Sequence, residues 1–484
     1  MTQEVKRFFA TRAWVQGKWV RDVVLSVAAD GCWLNVLPNA SAEQQRGAMR
    51  LGGPVLPGIV NAHSHAFQRA IAGLTERRRP GAASTDSDDF WSWRDRMYSV
   101  ARRVTPDQLE AIASLLYAEM LSAGYTQVCE FHYLHNEADG AIAADPLEMA
   151  LALVRAAQRV GIGLTLLPTL YMRSGFGTQG LGEAQRRFAS TPDSVLRIAE
   201  AVNRQAASAA PTQANPGAVL RAGVAIHSLR AVDAGPLAEV AAHARKISLP
   251  VHIHVAEQVQ EVEDCLAHTG MRPIEWLLQH AAMDARWNLV HATHTNATEL
   301  QGVRAAGASI VICPTTEANL GDGVFDLPGY ASIGGHWSIG SDSHVARHWA
   351  EELRLLEYSQ RLQLRQRNVA ARGAGRESTA AALFEAAVNG GRAATGQRIG
   401  AIQAGHRADF MIVDEQSASL LGAPPDYLLD AMIFASPAPR FSDVFVAGQA
   451  VVTQGQVVGR DSMASLWPQL AENYRGAMNA LWAV

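Results

Sequence analysis

Long apolar runs are missing from this 484-residue chain. None approaches the roughly 18 residues that a membrane span needs, so no transmembrane helix is expected. Neither sign of charge dominates: 42 Lys and Arg face 46 Asp and Glu, a net charge of −4. That balance suggests neither nucleic acid nor an anionic membrane as a partner. Cysteine is scarce. Cys32, Cys129, Cys265 and Cys313 stand far apart and form no CxxC pair. They read as buried thiols in a reducing cytoplasm, not as staples or a zinc knuckle. Met1–Arg7 carries an early acid with no apolar stretch behind it, so no secretory signal is expected. Low-complexity tracts are absent. What is present, 48% hydrophobic residues, is enough for a large core in one big domain or two.

The two chain ends share a texture of short strands. Phe8–Val15, Gly17–Val20 and Val23–Val27 begin the chain, and Ala408–Asp414 and Val444–Val452 return near its end. Residues 1–54 and 400–460 are therefore expected to build one small β domain, followed by a helical segment over 461–484. Between them, over 55–399, apolar strands alternate with loops and helices. Eight strands are expected: Val55–Asn61, Thr126–His132, Gly163–Leu170, Gly223–Leu229, Val251–Val255, Asn288–Ala292, Ser309–Pro314 and Trp337–Ser341. They are apolar on both faces, as parallel strands covered by helices should be. One helix is well punctuated, with Thr105 as N-cap, Pro106 in its first turn and Gly124 as terminator. Eight strand–helix units suggest an α/β fold, a TIM-like (β/α)₈ barrel, whose chemistry sits at the C-terminal strand ends.

Those ends carry histidines. His63 and His65 close strand one, His254 lies in strand five, His291 ends strand six and Asp342 follows strand eight. Histidines at i and i+2 of a strand point to one side and can converge on one cation. A core histidine is the plain reading of any one of these, but a shared rim is a poor accident. Three neutral imidazoles and a carboxylate, His63, His65, His254 and Asp342, suit one divalent metal ion, zinc before iron or manganese. Zinc lowers the pKa of a coordinated water towards about 7. Glu257, three residues past His254, is placed to move protons, and His291 to orient the water or steady charge.

These segments resemble the amidohydrolase superfamily in its deaminase branch. The matching pieces are Pro57–His65, His254-x-x-Glu257, His291, Ser341-Asp342 and Gly400–Phe410, where such enzymes re-enter a β-sandwich. The resemblance implies catalytic roles for Glu257, His291 and Asp342. It also implies a homodimer. Binuclear relatives place a carboxylated lysine or bridging acid near strand four. Here that strand reads Gly223-Val224-Ala225-Ile226-His227-Ser228-Leu229-Arg230. One metal is thus favoured, with a second held through His227 as the minor alternative.

Within the branch, His63–Arg69, Phe90–Arg94, Phe131–His135, His227–Arg230 and Glu351–Tyr358 resemble the enzymes that deiminate N-formimino-L-glutamate in histidine degradation. That resemblance implies substrate contacts for Gln68, Arg94, Tyr133, His227 and Arg230. A small-molecule dicarboxylate amidine needs at least one arginine fork, and Arg94 and Arg230 could supply it. The plain readings are a solvated loop charge for Arg94 and a core aromatic for Tyr133. Arg69 reads as surface charge or a salt-bridge partner. The segment Glu76–Met97 is expected as a loop that either covers the site as a lid or packs a subunit contact. A purine-like ring substrate, and a non-catalytic metal-binding barrel, stay open as alternatives.

Overall fold

The computed structural model describes residues 5–78, 90–178, 180–208, 219–459 and 463–483. Eight parallel strands form the centre: β1 (Ile59–Ser64), β2 (Tyr125–His132), β3 (Gly163–Leu170), β4 (Val224–Ile226), β5 (Val251–Val255), β6 (Trp287–His291), β7 (Ser309–Ile312) and β8 (His336–Ile339). Each pairs with the next in register-defined parallel ladders. A parallel bridge between Ser64 and Asp342 joins the last strand end to the first. The expected (β/α)₈ barrel is therefore present. Apart from the exposed His336, these eight strands are buried throughout. Helices such as Pro106–Ser122 cover them, and that helix starts at Thr105, the expected N-cap, which forms a capping box with Gln108.

The chain ends form a second, nine-stranded sheet. Its backbone runs from Gln456–Val457 through Gln449–Thr453, Phe441–Val446, Phe410–Val413, Val55–Pro57, Lys6–Val15 and Lys18–Val27 to Trp33–Leu37. It has its own core, where Phe8 meets Phe410 and Phe445 edge-on and Trp33 lies against Phe410. Helix Trp467–Trp482 follows it.

Four strand expectations change. The single strand expected over Val55–Asn61 is two: Val55–Pro57 pairs in the terminal sheet, and Ile59 onward enters the barrel. Gly58 makes the passage without a loop, because a Cβ there would come 2.3 Å from Thr126 Oγ1. The strand expected over Val444–Val452 is a hairpin, turning at Ala447 and Gly448, both with positive φ. Apolar residues on both sides of that two-residue turn hide it from a pattern reading. Conversely, Gly17–Val20 and Val23–Val27 are one strand, Lys18–Val27, paired along its length with Lys6–Val15. The strand expected over Gly223–Leu229 keeps only Val224–Ile226, since His227 and its successors turn onto the barrel rim.

Candidate metal and substrate site

Barrel closure brings the first and last strand ends together. The Asp342 amide donates to the His63 carbonyl at 3.0 Å, and the His65 amide donates to the Asp342 carbonyl at 3.2 Å. The Asn61 side chain locks the same seam: its amide donates to Ser341 Oγ at 2.7 Å and its oxygen accepts the Ser341 amide at 3.0 Å. Gly340 is required beside it, since a Cβ would sit 2.6 Å from the Cβ of His63. The rim backbone is strained. Ala256, His291, Ala292 and Asp342 all have φ between +45° and +70°, a region that non-glycine residues enter at a cost. These four residues follow or end three strands that carry expected site residues.

The side chains converge. His63 Nε2 lies 3.1 Å from His65 Nε2 and 3.0 Å from His254 Nε2, while His65 Nε2 lies 3.3 Å from His254 Nε2. Asp342 Oδ1 stands 3.3 Å from His63 Nε2 and 3.4 Å from His65 Nε2. Four donors about 2.0–2.1 Å from a central zinc would be about 3.3–3.4 Å apart in a tetrahedron. The measured separations fit that cage closely. The far nitrogens are anchored: His65 Nδ1 donates to the Phe131 carbonyl at 2.9 Å, and His254 Nδ1 to the His227 carbonyl at 3.0 Å. Each bond fixes the tautomer that turns the Nε2 lone pair inward. Burial pushes the His63 imidazole down to about 3 and His254 well below its usual range. Burial opposes the charge of Asp342, but the hydrogen bond from His63 and the neighbouring imidazoles hold its carboxyl below the ordinary range. Neutral imidazoles beside a carboxylate are the form that binds a cation. His227 belongs to no such cluster of ligand atoms among the described residues.

Glu257 and His291 flank the cage. His291 Nε2 is 3.7 Å from Glu257 Oε1 and 3.8 Å from Asp342 Oδ2. Burial raises the Glu257 carboxyl above its usual range despite the opposing charges of His291 and Arg230. Burial works against a cationic His291, but Glu257, Glu317 and Asp342 outweigh it and lift the imidazole to about 10.

One cavity joins these groups to every residue expected to touch substrate: Gln68, Arg94, Tyr133, His227 and Arg230 all line it, with Glu257, His291 and Asp342 at its floor. Gln68 Nε2 donates to the Tyr133 hydroxyl at 3.2 Å. Arg230 is buried and faces Glu261 at 3.8 Å. Arg94 lies on a helix, Phe90–Ala101, where a loop was expected. Trp93 and Met97, and Arg94 and Tyr98, are i, i+4 pairs that present one face to the cavity. The stretch 79–89 of the expected lid lies outside the described residues. Arg69 is a salt-bridge partner, bound to Glu119 at 2.9 Å and to the Tyr474 hydroxyl at 3.0 Å.

Sequence reasoning passed over Glu317. Its Oε1 accepts the Cys313 amide at 2.9 Å and faces His291 Nδ1 at 3.2 Å. Its signal was available: it follows the one barrel strand, β7, among the last four to which no rim residue had been given. Glu261 was missed as well, and it accepts the amides of Ala256 and Glu257 at 3.2 and 3.3 Å. Tyr98, Tyr171 and Phe188 line the cavity from segments far apart in the chain, and no local pattern announces them.

The amidohydrolase family model matches residues 55–451. The chain belongs to the amidohydrolase family. Within it, this amidohydrolase is 45% identical to the formimidoylglutamate deiminase of Pseudomonas aeruginosa, over 96% of this chain and 98% of that one. It is 27% identical to the 8-oxoguanine deaminase of the same organism, over 89% and 88% of the two chains. An amidohydrolase structure from Brucella melitensis superposes with a TM-score of 0.87 at 41% identity, covering 98% and 99% of the two chains. No helix among the described residues is long and apolar enough to cross a membrane.

Proposed function

We propose that this amidohydrolase hydrolyses N-formimino-L-glutamate to N-formyl-L-glutamate and ammonia, using one zinc ion held by His63, His65, His254 and Asp342. The observation that carries the reading is the shared cavity, where two arginines, Arg94 and Arg230, stand beside the four-donor cage. A substrate with two carboxylates and an amidine head needs that pairing. The 45% identity with a formimidoylglutamate deiminase over nearly the full length supports it.

A divalent cation in the cage supplies Lewis-acid activation of water. The chain does the rest. Asp342 takes the proton of the attacking water while its oxygen bonds to the formimino carbon, and the cationic His291 orients that water and steadies the developing negative charge. Glu257, whose carboxyl burial raises above its usual range, gives a proton to the terminal nitrogen. The proton taken from water then passes to the same nitrogen, the carbon–nitrogen bond breaks, ammonia leaves, and the hydroxyl proton returns to Glu257 as the formyl C=O forms. Arg94 and Arg230 neutralise the carboxylates, with Gln68, Tyr133 and His227 adding polar contacts. The same reading places the enzyme in the cytoplasm, which suits its four free cysteines, and expects a homodimer.

The test is chelation followed by reconstitution. Zinc restored at one equivalent per chain should restore conversion to N-formyl-L-glutamate, identified by mass spectrometry. Full conversion by the metal-free protein would overturn the reading. The runner-up, deamination of a purine-like ring, draws on the 8-oxoguanine deaminase likeness. It gives the two arginines no substrate carboxylate to bind.

A further inference from the structure

At the outer wall of the cavity two buried phenols have no acceptor for their protons among the described residues. Gln185 is buried in the short helical turn Glu183–Phe188. Its Oε1 accepts the Gly182 amide at 3.1 Å. Its amide nitrogen donates to two phenols, Tyr98 at 3.1 Å and Tyr171 at 2.9 Å. Both N–H groups of Gln185 are thereby used, and both phenol oxygens act as acceptors. Each phenol keeps an O–H to donate, and both tyrosines line the cavity. A buried donor needs an acceptor. The surroundings favour an anion, since Arg94 and Arg230 line the same space and the Arg94 guanidinium lies 5.4 Å from the Tyr98 ring centroid.

Position tells which anion. The Tyr133 ring meets the cage directly, 5.1 Å from His65. Tyr171 is one layer further out: its ring packs 4.2 Å from His227, and His227 lies 5.2 Å from His254. In N-formimino-L-glutamate the α-carboxylate sits close to the reacting carbon and the γ-carboxylate lies beyond it. We infer that Tyr98 and Tyr171, positioned by Gln185, form the specificity subsite for the substrate's distal γ-carboxylate. This rests on the proposed substrate, and it assigns a function to three residues that the reaction itself does not use.

The arrangement makes a graded demand on variants, because each hydroxyl supplies one proton to the same carboxylate. Tyr98→Phe and Tyr171→Phe should each raise KM for N-formimino-L-glutamate roughly 3- to 10-fold. The double variant has no proton left to give and should raise KM roughly 10- to 100-fold, the range of a hydrogen bond to a charged group, with kcat within about twofold. The selectivity ratio against N-formimino-L-2-aminobutyrate, which lacks the γ-carboxylate, should fall by a similar factor. An unchanged KM in the double variant, or an equal loss on both substrates, would overturn the subsite. Calorimetric titration of the zinc-loaded protein with glutarate separates this from the substrate assignment. The double variant should bind glutarate at least tenfold more weakly than the parent, whether or not the parent turns over N-formimino-L-glutamate. Equal affinity would overturn the subsite. If the double variant fails to fold, Gln185→Leu replaces it and should weaken glutarate binding in the same direction; unchanged binding overturns the subsite too.

Discussion

Ser64, at the end of the first barrel strand, forms a parallel β-bridge with Asp342, just past the eighth. The bridge closes the barrel. It also sets the backbones of His63 and His65 against that of Asp342, so closure and assembly of three of the four proposed ligands are one event. The fourth, His254, arrives on β5 from the opposite wall.

This coupling makes Gly340 a sensitive position. A Cβ at Gly340 would come 2.6 Å from His63 Cβ and 3.0 Å from both Cys313 Sγ and the His63 amide nitrogen. Gly340→Ala should cost about 1–3 kcal/mol as overpacking and lower the bound zinc below one per chain. Thermal unfolding and elemental analysis read both. A variant with parental Tm and full zinc would show that the seam does not set the cage.

Glu257→Gln should keep the metal and lose turnover by roughly 10²- to 10⁴-fold, the usual worth of a general acid. The amide preserves the shape but cannot deliver a proton. Steady-state kinetics with zinc analysis checks this, and parental kcat would remove Glu257 from the mechanism.

Glu317 should act through His291. Glu317→Ala frees the imidazole that Glu317 Oε1 holds at 3.2 Å, so kcat should drop roughly 10- to 100-fold with KM within about twofold. In a His291→Asn background the same change should add little. If the two losses multiply instead, Glu317 supports the fold and not the imidazole.

Arg230→Met should raise KM for N-formimino-L-glutamate roughly 10- to 100-fold by removing a charge-assisted contact. Glu261, which faces Arg230 at 3.8 Å, would lose its partner as well. An unchanged kcat/KM would show that the carboxylates are bound elsewhere.

Away from the cage, Glu352 gives stability a pH dependence. Burial lifts its carboxyl to about 8, although the Thr315 hydroxyl and amide donate to it at 2.7 and 3.0 Å. The folded value lies above the unfolded one, so the protonated form is favoured by folding. Its contribution is full below about pH 4.5 and is lost as pH rises through about 8. Glu352→Gln should therefore flatten the fall in Tm between pH 6 and 8.5. A fall as steep as the parent's would assign that dependence to other groups.

Much of this was legible in the chain because barrels force chemistry to strand ends. An apolar run followed at once by His63, His65, His291 or Asp342 marks both a strand and its rim. The two-histidine spacing in β1 carries direction as well as identity, since alternate residues share a face. What stayed hidden was tertiary. Gln185 reaches the cavity wall through a loop, and its two tyrosines come from a helix and a strand end more than 70 residues apart, at Tyr98 and Tyr171. The switch at Gly58 was also hidden, because continuous apolar sequence runs through two sheets and only the strand pairing separates them.

The most direct test of the proposed reaction compares substrates on the zinc-loaded protein. Ammonia release is measured with N-formimino-L-glutamate and with guanine, 8-oxoguanine and adenosine. The cavity with Arg94 and Arg230 predicts a kcat/KM for N-formimino-L-glutamate at least a thousandfold above any ring substrate, in the range of an ordinary enzyme, about 10⁴ M⁻¹ s⁻¹ or more. No ammonia from N-formimino-L-glutamate, or faster release from a purine, would contradict it.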